Sequence, residues 1–195
     1  MPALSDNAII DVDYYKNYAG IDVSDDFNDN ELNQFINQAS VLMESEAGRK
    51  FRSNDATEIF DGNDTVEYIV KQKRITTLTT LSYWDSDSWE DITSPDYVYD
   101  TVESTGKIYF TDGNTFWQGV NNWKAVYIYG WSLATMLEEL KLCCCDVVQW
   151  LYFLRKKSNI SSESLGDKSV TYKDNASMPS SAKTILQKYK SFRYV

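Results

Sequence analysis

Histidine is missing from this 195-residue chain. Its absence excludes Ser-His-Asp and Cys-His catalytic arrangements and removes the commonest nitrogen ligand of zinc. Proline and glycine are scarce, at 3 and 8 residues, so the chain is neither collagen-like nor of low complexity. Gly113 and Gly119 lie in separate turn contexts, which leaves no glycine-rich phosphate loop. No apolar run approaches the roughly 20 residues that span a bilayer. The segment Met1-Pro2-Ala3-Leu4-Ser5-Asp6 has neither the basic nor the apolar region of a signal peptide, and a cytoplasmic protein without membrane contact is expected. The 3 cysteines are contiguous, Cys143-Cys144-Cys145. Neighbouring side chains on a helix point about 100° apart, so these thiols cannot converge on one metal, nor bridge without distorting the helix. Small buried or half-buried thiols in a reducing compartment are expected instead.

What is present is an aromatic, acidic chain. Apolar residues make up 43% and aromatics 14%, with 14 Tyr and 6 Trp, enough for a real core. The net charge of −10 is unevenly spread. Residues 1–154 carry 10 Lys/Arg against 26 Asp/Glu, and residues 155–195 carry 9 against 3. The acidic part repels a DNA backbone, because sequence-independent DNA affinity comes from Lys and Arg displacing counterions. The cationic C-terminal part is a separate surface, read equally well as a solvated tail or as a docking segment.

Periodicity divides the chain. Asp11 to Ala19 reads as a short helix with acidic residues at its start and Gly20 at its end. An acidic loop, Asp22 to Asp29, leads to a helix from about Asn30 to Ala47. There Leu32, Phe35, Ile36, Ala39, Leu42 and Met43 share one face, and Gly48 supplies a left-handed cap. From Phe51 to Trp131 the pattern is that of strands. Thr57–Phe60 and Val66–Val70 flank Asp61-Gly62-Asn63-Asp64 and predict a hairpin. Ile75–Tyr83, Tyr97–Tyr99, Lys107–Phe110 and Lys124–Tyr129 are further strands of a small antiparallel sheet or barrel. A long helix is predicted from about Ala134 to Lys156, with Met136, Leu137, Leu140, Cys144, Val147, Val148, Leu151 and Leu154 along one stripe. Ser158 to Asn175 is polar and expected to be extended or mobile. Pro179 fits the first turn of a last helix, Ser180 to about Lys190, with Ile185, Leu186 and Tyr189 on one side.

Two constellations invite a chemical reading. Asp85, Asp87, Glu90 and Asp91 form an acidic stretch, but it lacks the alternating ligands and central glycine of a calcium loop, and a solvated loop is the better reading. Trp84, Trp89, Trp117 and Trp123 suggest a sugar-stacking platform on the β module. Aromatics of this kind more often build a core or a protein interface.

The ordered set of features resembles the head-tail connector, or head-completion adaptor, family of long-tailed double-stranded DNA phages and gene-transfer particles. Glu46-Ala47-Gly48-Arg49-Lys50-Phe51 is similar to that family's helix ending in Gly-Arg and an aromatic. Thr57-Glu58 with Phe60-Asp61-Gly62 is similar to its first hairpin. Val126-Tyr127-Ile128-Tyr129-Gly130-Trp131 is similar to the exit from its β module. Leu165-Gly166-Asp167-Lys168-Ser169-Val170-Thr171-Tyr172 is similar to its C-terminal arm, and Met178-Pro179 with Leu186 and Tyr189-Lys190 to its terminal helix. Arg74-Ile75 and Ser132-Leu133 depart from it, since the family often has proline at both places.

The residues and the resemblance together imply an α+β, mainly α protein. It would be a helical bundle over 1–157 with a small antiparallel β module inserted at about 52–131, followed by an extended arm and short helix over 158–195. The resemblance implies a structural virion protein and not an enzyme, with no cofactor and no metal. It implies a self-assembled ring, dodecameric in the family, seated on the portal protein at the virion neck. Such a ring extends the DNA channel without binding DNA specifically and offers a platform to a stopper or tail-completion protein. Lys183, Lys188, Tyr189, Lys190, Arg193 and Tyr194 are the expected portal-docking residues, on an arm that orders only on its partner. The competing readings are a carbohydrate- or ligand-binding module using the aromatic β lobe, and another neck component such as a stopper or tail terminator.

Overall fold

The computed structural model describes residues 3–93, 97–100, 105–157, 162–165, 168–171 and 177–190, with the backbone alone for 156–157, 162–165 and 168–171. These residues form two compact units, one of Met1–Gly48 with Leu133–Lys190 and the other of Arg49–Ser132.

The first unit is helical. α1 (Val12–Ala19) starts where the Asp11 carboxylate accepts the Tyr14 N–H at 2.8 Å, and stops at left-handed Gly20. α2 (Asp29–Ala47) buries Leu32, Phe35, Ile36, Ala39, Met43 and Ala47 and stops at Gly48, which is also left-handed. α3 (Glu138–Lys157) and α4 (Ser180–Lys188) complete the unit. α3 begins later than its apolar stripe predicts. Leu133–Thr135 form a turn, and the Leu137 carbonyl receives the first helical N–H groups, from Leu140 and Lys141. Glu138 and Glu139 then occupy the first turn, where a helix N-terminus favours negative charge. Pro179 lies one residue outside α4, as its cap, and its carbonyl accepts the Lys183 N–H.

The cysteine triplet explains how α3 can be enclosed. Cys143, Cys144 and Cys145 are all fully buried, and each faces a different helix. The Cys143 thiol lies 3.8 Å from the Ala182 carbonyl of α4. Cys144 meets Ser40 of α2. Cys145 is turned to the tyrosines of α1, where burial first and the thiol second push Tyr15 up to about 12. Successive positions about 100° apart thus place a small, apolar side chain toward each neighbour. Hydroxyls on α1 add two ties to α3: Tyr14 donates to Glu138, and Tyr18 to Asp146 at 2.9 Å.

The second unit is all β. Its strands are β1 (Asn54–Gly62), β2 (Glu67–Ile69), β3 (Ile75–Asp85), β4 (Ser88–Asp91), β5 (Tyr97–Tyr99), β6 (Lys107–Phe110) and β7 (Gly119–Tyr129). They form two antiparallel sheets, ordered β1-β7-β3-β4 and β2-β6-β5. Phe60, Leu78, Leu81, Ile108, Phe110, Phe116, Trp123, Ala125 and Tyr127 from both sheets share one core. Phe60 of β1 stacks on Tyr68 of β2 at 3.5 Å between ring centres, and Phe110 of β6 meets Trp123 edge-on at 5.8 Å. Within this core Glu58 is 7% exposed and saturated by donors: Lys71 N–H at 2.9 Å, Tyr68 OH at 3.3 Å, and Tyr127 OH. Burial of the phenol, then the adjacent carboxylate, raises the Tyr127 pKa well above its ordinary value.

Three expectations are corrected. The protein is mixed α+β and not mainly α: among the described residues helix and strand occur in similar amounts, because β3 and β7 are long and the β unit has its own core. The predicted hairpin across Asp61–Asp64 does not form, since β1 pairs with β7 and β2 with β6. Its turn residues instead stitch a corner onto residues 118–122: Asp61 accepts the Asn121 N–H at 2.6 Å and Asp64 the Gln118 N–H at 3.0 Å. A Cβ at Gly62 would run into the Trp117 carbonyl, so the chain passes there only as glycine. The acidic stretch is partly a β3–β4 hairpin, turning at Ser86 with φ 57° and pairing Trp84 with Trp89. In the expected arm, β8 (Ser162–Leu165) and β9 (Lys168–Thr171) pair antiparallel, and its remaining residues lie outside those described.

Burial holds the Cys143 and Cys145 thiols up at about 12. The native protein at pH 8 should therefore leave all 3 thiols unmodified by a thiol reagent, and release them together across its unfolding transition. Fast reaction of any one thiol in the folded state would contradict the enclosed α3.

Candidate docking surface

The cationic residues expected on the C-terminal helix do not project from an isolated tail. α4 packs against α2 and α3, with Ala182 and Leu186 fully buried. Of the expected docking residues, Lys188 pairs with Glu139 of α3 at 3.0 Å, and Tyr189 OH donates to the same carboxylate. Lys190 lies 3.9 Å from Glu46 of α2. Lys183 is half-buried on the first turns of α4. Arg193 and Tyr194 lie outside the described residues. The structure thus gathers Lys188, Tyr189 and Lys190 at the end of α4 and compensates them with carboxylates of its own unit. Glu139 and Glu46, which the sequence reading did not single out, set this geometry. Their signal is weak in sequence, because each is one more acidic residue on the polar side of a helix.

Glu139 is the pivot of this surface. The Tyr189 hydroxyl first, and the Lys188 ammonium second, hold its carboxyl below the usual carboxylate range. Such a pair is mostly exposed, so it positions α4 more than it stabilises the fold.

The tryptophans do not make a platform. Tyr83 and Trp123 pair on the inner face of the large sheet, while Trp84 and Trp89 pair one residue further along β3 and point to the other face. Trp123 is fully buried. Trp84 and Trp89 meet at 72°, and Lys124 covers Trp89 at 4.7 Å. A sugar ring needs a flat exposed face, and this arrangement divides the rings between two sides. Among the described residues no group of acidic, histidine or cysteine side chains is placed to hold a metal ion. Among the same residues no helix is long and apolar enough to cross a membrane.

Exposed apolar side chains are the remaining feature of the helical unit. Phe27 is 87% exposed in the loop before α2, and Leu142, Phe153 and Val41 are 43%, 49% and 58% exposed on α3 and α2. Phe27 was legible as an aromatic in an acidic turn, but nothing in the sequence says that it points outward.

Comparison with known proteins places this fold. The profile of the head completion protein family matches residues 8–192. A chain in a structure described as the neck of an empty gene transfer agent (GTA) particle, computed with C6 symmetry, superposes with a TM-score of 0.64 at 12% identity. The alignment covers 99% of this chain and 94% of that one. A chain of the native GTA neck computed with C12 symmetry gives 0.61 at 11% identity over the same shares, and one of the native GTA virion 0.63 at 12%. At these identities the likeness is one of fold. No curated protein sequence matches.

The Glu139 contact has a defined pH dependence. Its folded pKa lies below the unfolded one, so its contribution is present above the ordinary carboxylate range and is lost as pH falls through the folded value. Protection factors of α4 amides should therefore drop on acidification before those of α2, and Glu139→Gln should abolish that difference. Protection of α4 that tracks α2 at every pH would contradict it.

Proposed function

The chain belongs to the head completion protein family, a family of structural virion proteins and not of enzymes, and from this premise we propose that it is the adaptor ring of a virion neck. The observation that carries the reading is the likeness of fold over 99% of this chain to neck chains, one of them in a neck of C12 symmetry. On this reading about a dozen copies close head to tail into a ring on the portal protein, at the junction of head and tail. The ring continues the DNA channel and presents a platform for a stopper or tail-completion protein.

Two features of the chain suit that role. Residues 1–154 carry 26 acidic against 10 basic side chains. Walls of that sign weaken phosphate contacts, so DNA passes without specific binding. In the helical unit α3 packs on α2 and α4 and is tied to α1 through Tyr14 and Tyr18, and closely packed walls suit a ring interface. A stopper or tail terminator fits less well, because four described helices exceed what a mostly β stopper needs. The divided tryptophans do not favour the carbohydrate reading.

Portal contact is assigned to the C-terminal segment. Lys188, Tyr189 and Lys190 fix the end of α4 on its own unit. Lys183 and the following Arg193 and Tyr194 then reach the portal, with the cations steering the encounter and Tyr194 supplying buried contact. A chain ending at Lys190 should keep its thermal midpoint and bind purified portal rings at least about tenfold more weakly, a difference of roughly 1.4 kcal/mol. Undiminished binding would remove the docking role from Arg193 and Tyr194.

A further inference from the structure

The β unit carries opposite charge at its two ends. Of the 10 Lys/Arg in residues 1–154, more than half fall in two short segments, Arg49, Lys50 and Arg52 before β1 and Lys71, Lys73 and Arg74 before β3. The fold brings these segments together. Asn54 of β1 and Ile75 of β3 both pair with Tyr129 of β7, so the three strands share one end. There Arg49 donates to the Lys73 carbonyl at 3.0 Å and Arg74 to the Gly130 carbonyl. The two guanidinium groups lie 5.4 and 4.8 Å from the centre of the Trp131 ring. Lys50 and Lys71 are exposed and Lys73 half-buried, and none of the three is in an ion pair among the described residues.

The other end is acidic. Asp61, Asp64, Asp85, Asp87, Glu90 and Asp112 are all exposed there. Neutral groups orient them. Asp61 and Asp64 accept backbone N–H groups of Asn121 and Gln118, Glu90 accepts the Ser88 hydroxyl at 2.9 Å, and Asp112 the Asn114 N–H at 3.0 Å. None of the six is in an ion pair among the described residues. Lys124 lies toward this end but covers Trp89 at 4.7 Å. On the small sheet Glu67 and Asp100 are met by Lys107, which is 2.7 Å from Glu67. β3 joins the two ends in 11 residues, about 33 Å of extended strand.

A ring closed by head-to-tail contacts needs two unlike, mutually complementary patches on every subunit. We propose that the acidic end of the β unit in one copy meets the cationic end of the β unit in the next. This contact rests on the ring reading above and names the surfaces that make it. One exposed ion pair contributes little, but several charges aligned across an interface steer the encounter and fix its register. The cationic end by itself would also fit a DNA backbone. Its complement stands at the far end of the same strands, and that decides for a second copy.

The test treats assembled necks with a carbodiimide, which joins a carboxylate to a lysine amine only where the two touch. Ends separated by about 33 Å cannot be joined within one copy, so a bond between them reports a neighbour. The reagent should give a ladder of covalent oligomers, and mass spectrometry of the fragments should find Asp85, Asp87 or Glu90 bonded to Lys50 or Lys73. Rings whose acidic ends bond elsewhere, to another neck protein, or to nothing would overturn the contact while leaving the ring reading intact. Necks lacking a ring of this chain would overturn both. Lys50→Glu with Lys71→Glu supplies the second measurement. Both side chains are exposed, so the thermal midpoint of the monomer should not move, whereas the yield of rings should fall at least tenfold. An unchanged ring yield would reject the proposal.

Discussion

The helical unit depends on how closely its neighbours can approach α3. Protein interiors are packed at crystal-like density, so a helix met from several sides has no room for several large side chains at one level. Cys143, Cys144 and Cys145 meet this constraint at one level of the helix, each turned to a different neighbour. Above and below, Leu140, Val147, Val148 and Leu151 fill the wider spaces. Burial raises the pKa values of the thiols, and an unionised thiol is a poor nucleophile and a poor ligand. The same enclosure makes α4 part of the unit, since the Ala182 carbonyl is what Cys143 faces.

The β unit answers to a different constraint. It interrupts the helical chain between Gly48 and Leu133 and has to fold around an aromatic core of its own. Its buried carboxylate, Glu58, meets hydroxyl and backbone donors from β2, β7 and the segment after β2. A buried charge is tolerable when it is so satisfied, and removing one of its donors leaves the others around an underpaired group. The polar cluster thus fixes the register in which the two sheets meet. Each of the two units thus has a core of its own, one helical and one β.

Much of this was legible in the sequence where one physical signal dominated. The apolar spacing from Leu32 to Met43 and the glycine at 48 fixed α2 to within a residue. The strands also stood out, but not their partners. Asp61-Gly62-Asn63-Asp64 has the composition of a hairpin turn, and composition cannot reveal that its carboxylates are taken by the backbone of residues 118–121. A strand pairing 60 residues away in the chain is decided by the shared core. The mainly α expectation overweighted the helices because the sequence pattern showed only parts of β3 and β7, which the structure extends to Asp85 and back to Gly119. At the C-terminus, charge drew attention to Lys188 and Lys190. It could not show that Glu139 and Glu46 would turn them inward, since that depends on how α4 lies on α2 and α3.

The central claim is that a pre-packed helical unit, α4 included, enters a neck ring unchanged. A cryo-electron microscopy reconstruction of the assembled neck tests it most directly. The account predicts this chain in a closed ring beneath the head, with the thiols of α3 still enclosed and α4 still packed on α2 and α3, Lys188 beside Glu139. A reconstruction in which α4 has left that seat to lie along another protein, or in which the chain is absent from the neck, would contradict it.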